Sequence, residues 1–130
     1  MVHVGANQFV REAYVGQSWY HRHSIADKNG KLKTGEKKTN YDIAGPLCFQ
    51  GDFIAKDINL PVVEQGDILV IHDTGAYSMS LYSKYNSILP SAVYGMRSLS
   101  DGSLEIQCMK ERETPEEALY FWGSPTPRIL

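Results

Sequence analysis

Residues 45–57 read Gly-Pro-Leu-Cys-Phe-Gln-Gly-Asp-Phe-Ile-Ala-Lys-Asp, and residues 66–77 read Gly-Asp-Ile-Leu-Val-Ile-His-Asp-Thr-Gly-Ala-Tyr. The first stretch places Cys48 among turn-forming residues, and the second is an apolar run that ends in a Gly-Ala turn and Tyr77. Short apolar runs bounded by Gly, Pro and Asp are typical of β-strands. The two stretches therefore predict a β-rich fold that presents a thiol and a phenol on turns.

From Tyr41 onward the same pattern repeats. The candidate strands are Tyr41 to Leu47, Asp52 to Ala55, Asp67 to His72, Val93 to Leu99 and Ser103 to Lys110. The last two flank Asp101-Gly102, which favours a tight hairpin turn, so we expect them to pair antiparallel. The apolar run 68–71 predicts a strand covered on both faces. We expect a mainly β fold, a barrel or sandwich, because closure removes exposed sheet edges.

Two segments are predicted to be helical. The first is a short amphipathic stretch formed by Phe9, Val10, Ala13, Tyr14 and Gln17. The second begins at Thr114, whose hydroxyl can cap the helix, and Pro115 follows at the first helical position. A glutamate that can reach back to the cap amide comes next, and the helix should run through Tyr120. Residues 26–40 are polar and rich in Gly and Lys, which predicts a loop.

The bulk composition excludes several classes of protein. The chain has 130 residues, with 13 Lys and Arg against 15 Asp and Glu and a formal net charge of −2. This length suits one domain, residues 1–130, and the charge gives no reason to expect nucleic acid or an anionic membrane as partner. No apolar run approaches the ~20 residues of a membrane span, and residues 1–5 lack the features of a secretory signal. We therefore expect a cytoplasmic protein.

The two cysteines and the tyrosines allow more than one interpretation. Cys48 and Cys108 are too few for a disulfide framework, so we expect free thiols. A thiol at a turn can deliver a proton to a carbanion, or it can pack as a small buried hydrophobe. Tyr77 can donate a hydrogen bond to a phosphate oxygen, or it can simply pack. Spacing alone leaves both pairs of alternatives open.

Two unrelated enzyme classes also match short patterns. The segment 73–76, Asp-Thr-Gly-Ala after an apolar strand, matches the active-site signature of retroviral-type aspartic proteases, which share one proton between two aspartates. His21 and His23 would lie on one face of a strand and, with His72 or His3, could bind a metal in a cupin-like barrel. Both stay open as alternatives.

Four blocks, residues 45–57, 66–77, 83–90 and 112–117, resemble at their observed spacing the C-terminal domain of fold type III pyridoxal-phosphate enzymes. The family is the one that contains diaminopimelate and ornithine decarboxylases. The resemblance implies a carboxy-lyase with pyridoxal 5'-phosphate as cofactor, an amino-acid substrate and a homodimer. It also implies that the lysine that anchors the cofactor belongs to an N-terminal (β/α)8 barrel absent from this chain. We therefore expect the chain alone to be inactive.

The resemblance assigns roles to individual residues. Cys48 matches a proton donor that reaches the neighbouring subunit's site, and Tyr77 matches a contact to the cofactor phosphate. Arg11 matches an arginine that receives a substrate carboxylate, and Tyr14 matches a tyrosine near it. Two features depart from the family pattern: Glu12 stands where the diaminopimelate branch has proline, and Tyr14 is one position closer to Arg11.

Phe49 departs from the family at the residue after the cysteine. The resemblance places there a carboxylate that pairs with the distal ammonium of the substrate. In this chain either Gln50 or Asp52 holds that amine, or the substrate has none. We expect a substrate other than diaminopimelate or ornithine. The alternative to a catalytic domain is a non-catalytic binding or dimerisation module derived from it.

Overall fold

A computed structural model of the chain describes residues 1–35 and 37–123. The chain divides into two compact units, Met1–Tyr85 and Asn86–Leu130. The first unit contains α1 (Val10–Val15), β1 (His23–Ala26), β2 (Lys38–Ala44), β3 (Phe53–Pro61) and β4 (Ile68–Ile71), and the second contains β5 (Val93–Ser98), β6 (Leu104–Lys110) and α2 (Pro115–Trp122). Single 3-10 turns lie at Gly16–Ser18 and Tyr85–Ser87. No helix among the described residues is long and apolar enough to cross a bilayer.

The strands pair into antiparallel ribbons. β1 pairs with β4, β2 with β3, and β5 with β6. The core of the first unit is built from one side chain before α1 and from inward-facing residues of the first three strands: Phe9, Ile25, Ile43, Ile54 and Leu60. Alternation along each strand brings these apolar side chains to one face. The two ribbons of this unit and α1 therefore share one core.

The expectation of a mainly β fold with two short helices is confirmed. Closure of the sheet into a barrel is not confirmed, because the strands of the described residues form three separate two-stranded sheets, none of which closes. The expected cover of β4 on both faces is also wrong. Ile68 is 47% exposed, and the remaining residues of the strand are half-buried. A strand with a single partner in a two-stranded ribbon leaves part of its surface open.

Strand boundaries differ from the predicted ones where polar residues take part in pairing. Residues 26 and 38–40 belong to strands and not to the predicted loop. The amide side chain of Asn59 donates to Asn40 Oδ1 at 2.7 Å, and these two residues also face each other in the ladder. β3 continues through Asp57, whose φ of 53° marks an irregularity, to Pro61. β1 itself was not among the candidate strands.

In the second unit, the antiparallel pairing of β5 with β6 is confirmed, and the turn at Asp101-Gly102 is tight, with the Gly102 amide donating to the Leu99 carbonyl oxygen at 3.0 Å. Ser98 faces Leu104, so five residues connect the strands. Gly102 has a φ of 83°, and Asp101 accepts hydrogen bonds from the amide and hydroxyl of Ser103. The predicted start of α2 is confirmed by a reciprocal capping box between Thr114 and Glu117.

Candidate functional site

The loop that carries Cys48 is organised by one buried carboxylate. Asp52 Oδ1 accepts from the Ala6 amide at 2.6 Å and Oδ2 from the Leu47 amide at 2.7 Å. Gly5 and Gly45 lie against this carboxylate, and a Cβ on either would overlap its oxygens. The Asp52 carboxylate therefore joins the N-terminal segment to the Cys48 loop. Hydrogen bonds to a charged acceptor are stronger than those between neutral groups.

Cys48 lies on the surface of this loop, and its neighbour Phe49 belongs to a group of three aromatic rings. Both cysteines of the chain are thiols and both are exposed, so burial as a structural cysteine is wrong for Cys48. The rings of Tyr14 and Phe49 stack at 5.4 Å with 23° between their planes, and Tyr85 lies 6.4 Å from Phe49. The Tyr85 hydroxyl donates to the carbonyl oxygen of Cys48 at 3.0 Å. We call Tyr14, Phe49 and Tyr85 the aromatic cluster.

Arg11 contacts two further rings, which pack edge-to-face with their centroids 6.4 Å apart. Its guanidinium carbon is 4.4 Å from the centre of the Trp19 ring and 3.9 Å from that of Tyr77. Such contacts attract a cation to the π-face of a ring. Tyr77 is 49% exposed and has a φ of 69°, a left-handed conformation that is rare for a residue with a side chain. Strained turns of this kind concentrate at functional sites.

A buried carboxylate–imidazole pair lies beside Arg11. Glu12 Oε1 is 2.7 Å from His21 Nε2, and these side chains are only 3% and 8% exposed. The contact has ion-pair distance, but the N–H is not aligned with that oxygen as a hydrogen bond. The edge of the His21 ring also packs against Phe9 in the core. Arg11, Trp19, Tyr77 and this pair border a cavity of about 10 Å³, room for roughly one water molecule.

Two further histidines, His23 and His72, lie at the β1–β4 ribbon. Ser24 Oγ lies 2.7 Å from His72 Nε2. Burial, and secondarily His21 and His72, lowers the pKa of His23. Within residues 1–35 and 37–123, no group of three or more His, Cys, Asp or Glu side chains is arranged to hold a metal ion. The described residues therefore give no support to a cupin-like metal site.

Other predicted positions lie apart from these clusters. Gln50 is exposed in the loop turn. Asp73, the candidate protease aspartate, is exposed at a φ of 59° and pairs with Arg22 at 3.4 Å. A larger cavity, about 750 Å³, is lined by strand residues and residues 1–4 and contains neither Arg11 nor Cys48. Its size alone does not connect it with the predicted chemistry.

One helix brings the predicted residues together. Arg11 and Tyr14 are three residues apart on α1, a spacing that places both on the same side of a helix. Arg11 reaches Tyr77, and Tyr14 reaches Phe49 beside Cys48. Asp52 uses both carboxylate oxygens for backbone amides, and its predicted contact with substrate stays a prediction. Sequence reasoning missed Trp19 and His21 as parts of the site, since no motif spacing connects them to Arg11.

Comparison with known proteins identifies one family. The family described as "Pyridoxal-dependent decarboxylase, C-terminal sheet domain" matches residues 1–75. The diaminopimelate decarboxylase of Methanothermobacter thermautotrophicus is 35% identical over 129 residues, which are 99% of this chain and 27% of that protein. That of Archaeoglobus fulgidus is 39% identical over 85 residues, 65% of this chain and 19% of that protein.

Solved structures agree with these relatives. A crystal structure of diaminopimelate decarboxylase matches 93% of this chain with a TM-score of 0.78 and 31% identity, and the match covers 29% of that chain. The Helicobacter pylori enzyme complexed with L-lysine matches 93% with a TM-score of 0.70 and 28% identity, over 27% of its own length. This chain thus spans less than a third of each of these proteins.

Proposed function

Since the chain belongs to the family of the C-terminal sheet domain of pyridoxal-dependent decarboxylases, we propose that it forms part of an amino-acid decarboxylase, as a fragment or a stand-alone homologue. The observation that carries this proposal is the position of α1. This helix holds Arg11 against Tyr77 and Tyr14 against Phe49, next to the exposed Cys48. Residues distant in sequence thereby serve one candidate site.

Cys48 is the proposed proton donor. Its Sγ gives a proton to the substrate α-carbon after carbon dioxide has left, and the thiol becomes a thiolate. The exposure of the loop lets a substrate held by another domain or subunit reach this proton. General acids in suitable positions typically contribute about 10²- to 10⁴-fold to a rate.

Tyr77 and Arg11 are the proposed anion contacts. Pyridoxal phosphate, when bound, supplies an electron sink for the bond cleavage. The half-exposed Tyr77 phenol, with a guanidinium against its ring, fits a phosphate group because the cation favours an anion there. The Arg11 guanidinium contacts both rings, and its N–H groups suit a substrate carboxylate.

The aromatic cluster sets the proposed substrate class. Phe49 has no charge, and the only carboxylate of loop 45–52 is Asp52, which is buried and occupied by backbone amides. An alkylammonium would have to lose its hydration here without an anion to compensate. The substrate side chain is therefore apolar or aromatic, without a distal ammonium.

A chimaeric enzyme tests these roles. This chain replaces the matching C-terminal part of the Methanothermobacter relative, and carbon dioxide release is measured with phenylalanine, leucine, diaminopimelate and ornithine. We expect turnover of an uncharged amino acid, a loss of about 10²-fold or more in kcat for Cys48→Ala, and a shift toward diaminopimelate for Phe49→Glu. Ordinary turnover of diaminopimelate with Phe49 in place would contradict the substrate class, and full activity of Cys48→Ala would contradict the proton donor.

A second candidate is a binding or dimerisation module, which the exposed apolar side chains of β6, Leu104, Ile106 and Met109, favour. Such a module would pair with a second subunit through the surface that a homodimer of the decarboxylase uses. A chimaera that folds and binds pyridoxal phosphate but turns over no amino acid would favour this candidate.

A further inference from the structure

We infer that the buried Glu12–His21 pair positions the Arg11 guanidinium against the rings of Trp19 and Tyr77. The importance of this pair for substrate binding rests on the proposed role of Arg11. The contact of Arg11 with the two rings does not depend on that role. Glu12 and His21 are positioning residues in this inference, because neither needs to touch the ligand.

The helix that carries Arg11 cannot hold its own orientation. α1 has six residues and no side-chain hydrogen bond at its N-cap, and isolated helices shorter than about 12 residues are marginal in water. Tertiary contacts must therefore fix it. Phe9 anchors its start in the core, and Glu12 is the one buried residue within it.

The buried pair fixes the rotation of this helix. A carboxylate as buried as that of Glu12 is costly unless a partner compensates its charge. In its protonated form, His21, with Nε2 2.7 Å from Glu12 Oε1, supplies that partner. If the helix turned, Glu12 would leave this partner, so the pair resists rotation about the helix axis.

The rotation of the helix in turn sets the direction of Arg11. Successive residues of an α-helix point about 100° apart. When Glu12 is fixed, the direction in which the Arg11 side chain leaves the helix is therefore fixed as well. Trp19 and His21 are two residues apart, and Trp19 is extended with φ −140° and ψ 120°. Side chains at that spacing on an extended segment share a face. One short segment therefore contacts two consecutive helix residues, His21 at Glu12 and Trp19 at Arg11.

This arrangement leaves Arg11 ready for an anion. In the part of the chain that the structure describes, its guanidinium contacts two rings and makes no hydrogen bond or ion pair. Preorganised donors bind an anion without first being ordered. Loss of the buried pair should therefore weaken carboxylate binding at Arg11 through the position of the guanidinium.

Nuclear magnetic resonance of the full chain tests the inference. The rings of Trp19 and Tyr77 shift the Arg11 side-chain signals upfield, and a titration with acetate follows carboxylate binding at its Nε–Hε group. In Glu12→Gln we expect the upfield shift to fall by about half or more and acetate affinity to fall roughly fivefold or more. The control is Arg22→Gln, which removes the exposed pair with Asp73 and should change neither quantity.

The outcomes separate the inference from the proposed function. An unchanged Arg11 shift in both Glu12→Gln and His21→Gln would overturn the inference. It would also be overturned if both variants lost the dispersed methyl signals of Ile25 and Ile54, because the pair would then merely hold the fold. If acetate fails to bind wild-type protein at Arg11, the proposed role of Arg11 fails, while the ring shift still decides whether the pair positions it.

Discussion

The surroundings of His23 oppose its protonation and lower its pKa. Burial lowers its pKa first, and the nearby imidazoles of His21 and His72 add to the effect. Its Nε2 is buried without a hydrogen-bond partner among the described residues. The folded state therefore binds a proton at His23 less readily than the unfolded chain, whose histidines titrate near pH 6.5.

This sets the sign of a pH effect on stability. Below about pH 6.5 the unfolded chain gains a proton that the folded protein resists, so the free energy of unfolding should fall as the pH falls through that range. We expect His23→Gln to reduce the loss of stability between pH 7.5 and pH 5.5, measured from urea denaturation. The control His3→Gln replaces an exposed histidine and should keep the wild-type pH dependence. An equal loss in wild type and His23→Gln would contradict the role of His23.

Single residues of the site were predictable only where a family pattern named them. Cys48 and Tyr77 lie in long stretches of sequence that resemble the family, and Arg11 and Tyr14 lie in a shorter one. These four residues could therefore be predicted as site residues without knowledge of the fold. Their partners depend on how segments pack. Trp19 contacts Arg11 from eight positions along the chain, and no local pattern encodes that contact.

Among the elements, loop 45–52 depends most on one side chain. Asp52 joins it to the N-terminal segment through two amides. Asp52→Asn replaces one acceptor by an amide donor directed at a backbone N–H, which leaves a buried group unsatisfied. We expect a loss of about 1–3 kcal/mol in the free energy of unfolding, measured by urea denaturation.

Asp57→Asn is the matched control for this substitution. Asp57 is exposed and accepts from Asn40 at 2.7 Å, and asparagine tolerates its positive φ. The change in stability should lie within about 0.5 kcal/mol. If Asp52→Asn costs no more than this control, Asp52 does not organise the loop.

Elements were predicted well where local chemistry determines them. The capping box at Thr114 fixes the start of α2 by itself. β2, in contrast, begins with Lys38, Thr39 and Asn40, whose polar pattern resembles a loop. They form a strand because β3 lies beside them to accept and donate hydrogen bonds. Such pairing is non-local, and the polar sequence carries no sign of it.

At the scale of the whole molecule, the chain corresponds to 27% of the Methanothermobacter relative. We expect the purified 130-residue chain, mixed with pyridoxal phosphate, to release no carbon dioxide from amino acids, because the family resemblance implies that the anchoring lysine belongs to another domain. The measurement is carbon dioxide release, with the chimaera as the positive control. Turnover by the chain alone would contradict this prediction.

The β class of the molecule followed from the periodicity of its apolar runs, but its sheet architecture did not. Apolar alternation identifies which face of a strand is buried, while the number of partners that each strand finds depends on distant segments. The apolar run of β4 predicted cover on both faces, yet the strand has one partner and remains partly exposed. The hydrophobicity of a strand thus predicts that other parts of the protein tend to cover it, but it does not identify which element does so.

If Arg11 and Tyr14 contact the substrate as proposed, their spacing on α1 sets the distance and direction between the two contacts. One residue of helix is about 1.5 Å of rise and about 100° of turn. Positions three and four residues after Arg11 flank the same helix side, so moving the tyrosine one place nearer swings its ring to the opposite flank and shortens the span. The number of residues between Arg11, the proposed carboxylate contact, and Tyr14, the proposed side-chain contact, would then limit the length and shape of the substrate. Deletion of a single residue between them would change both limits.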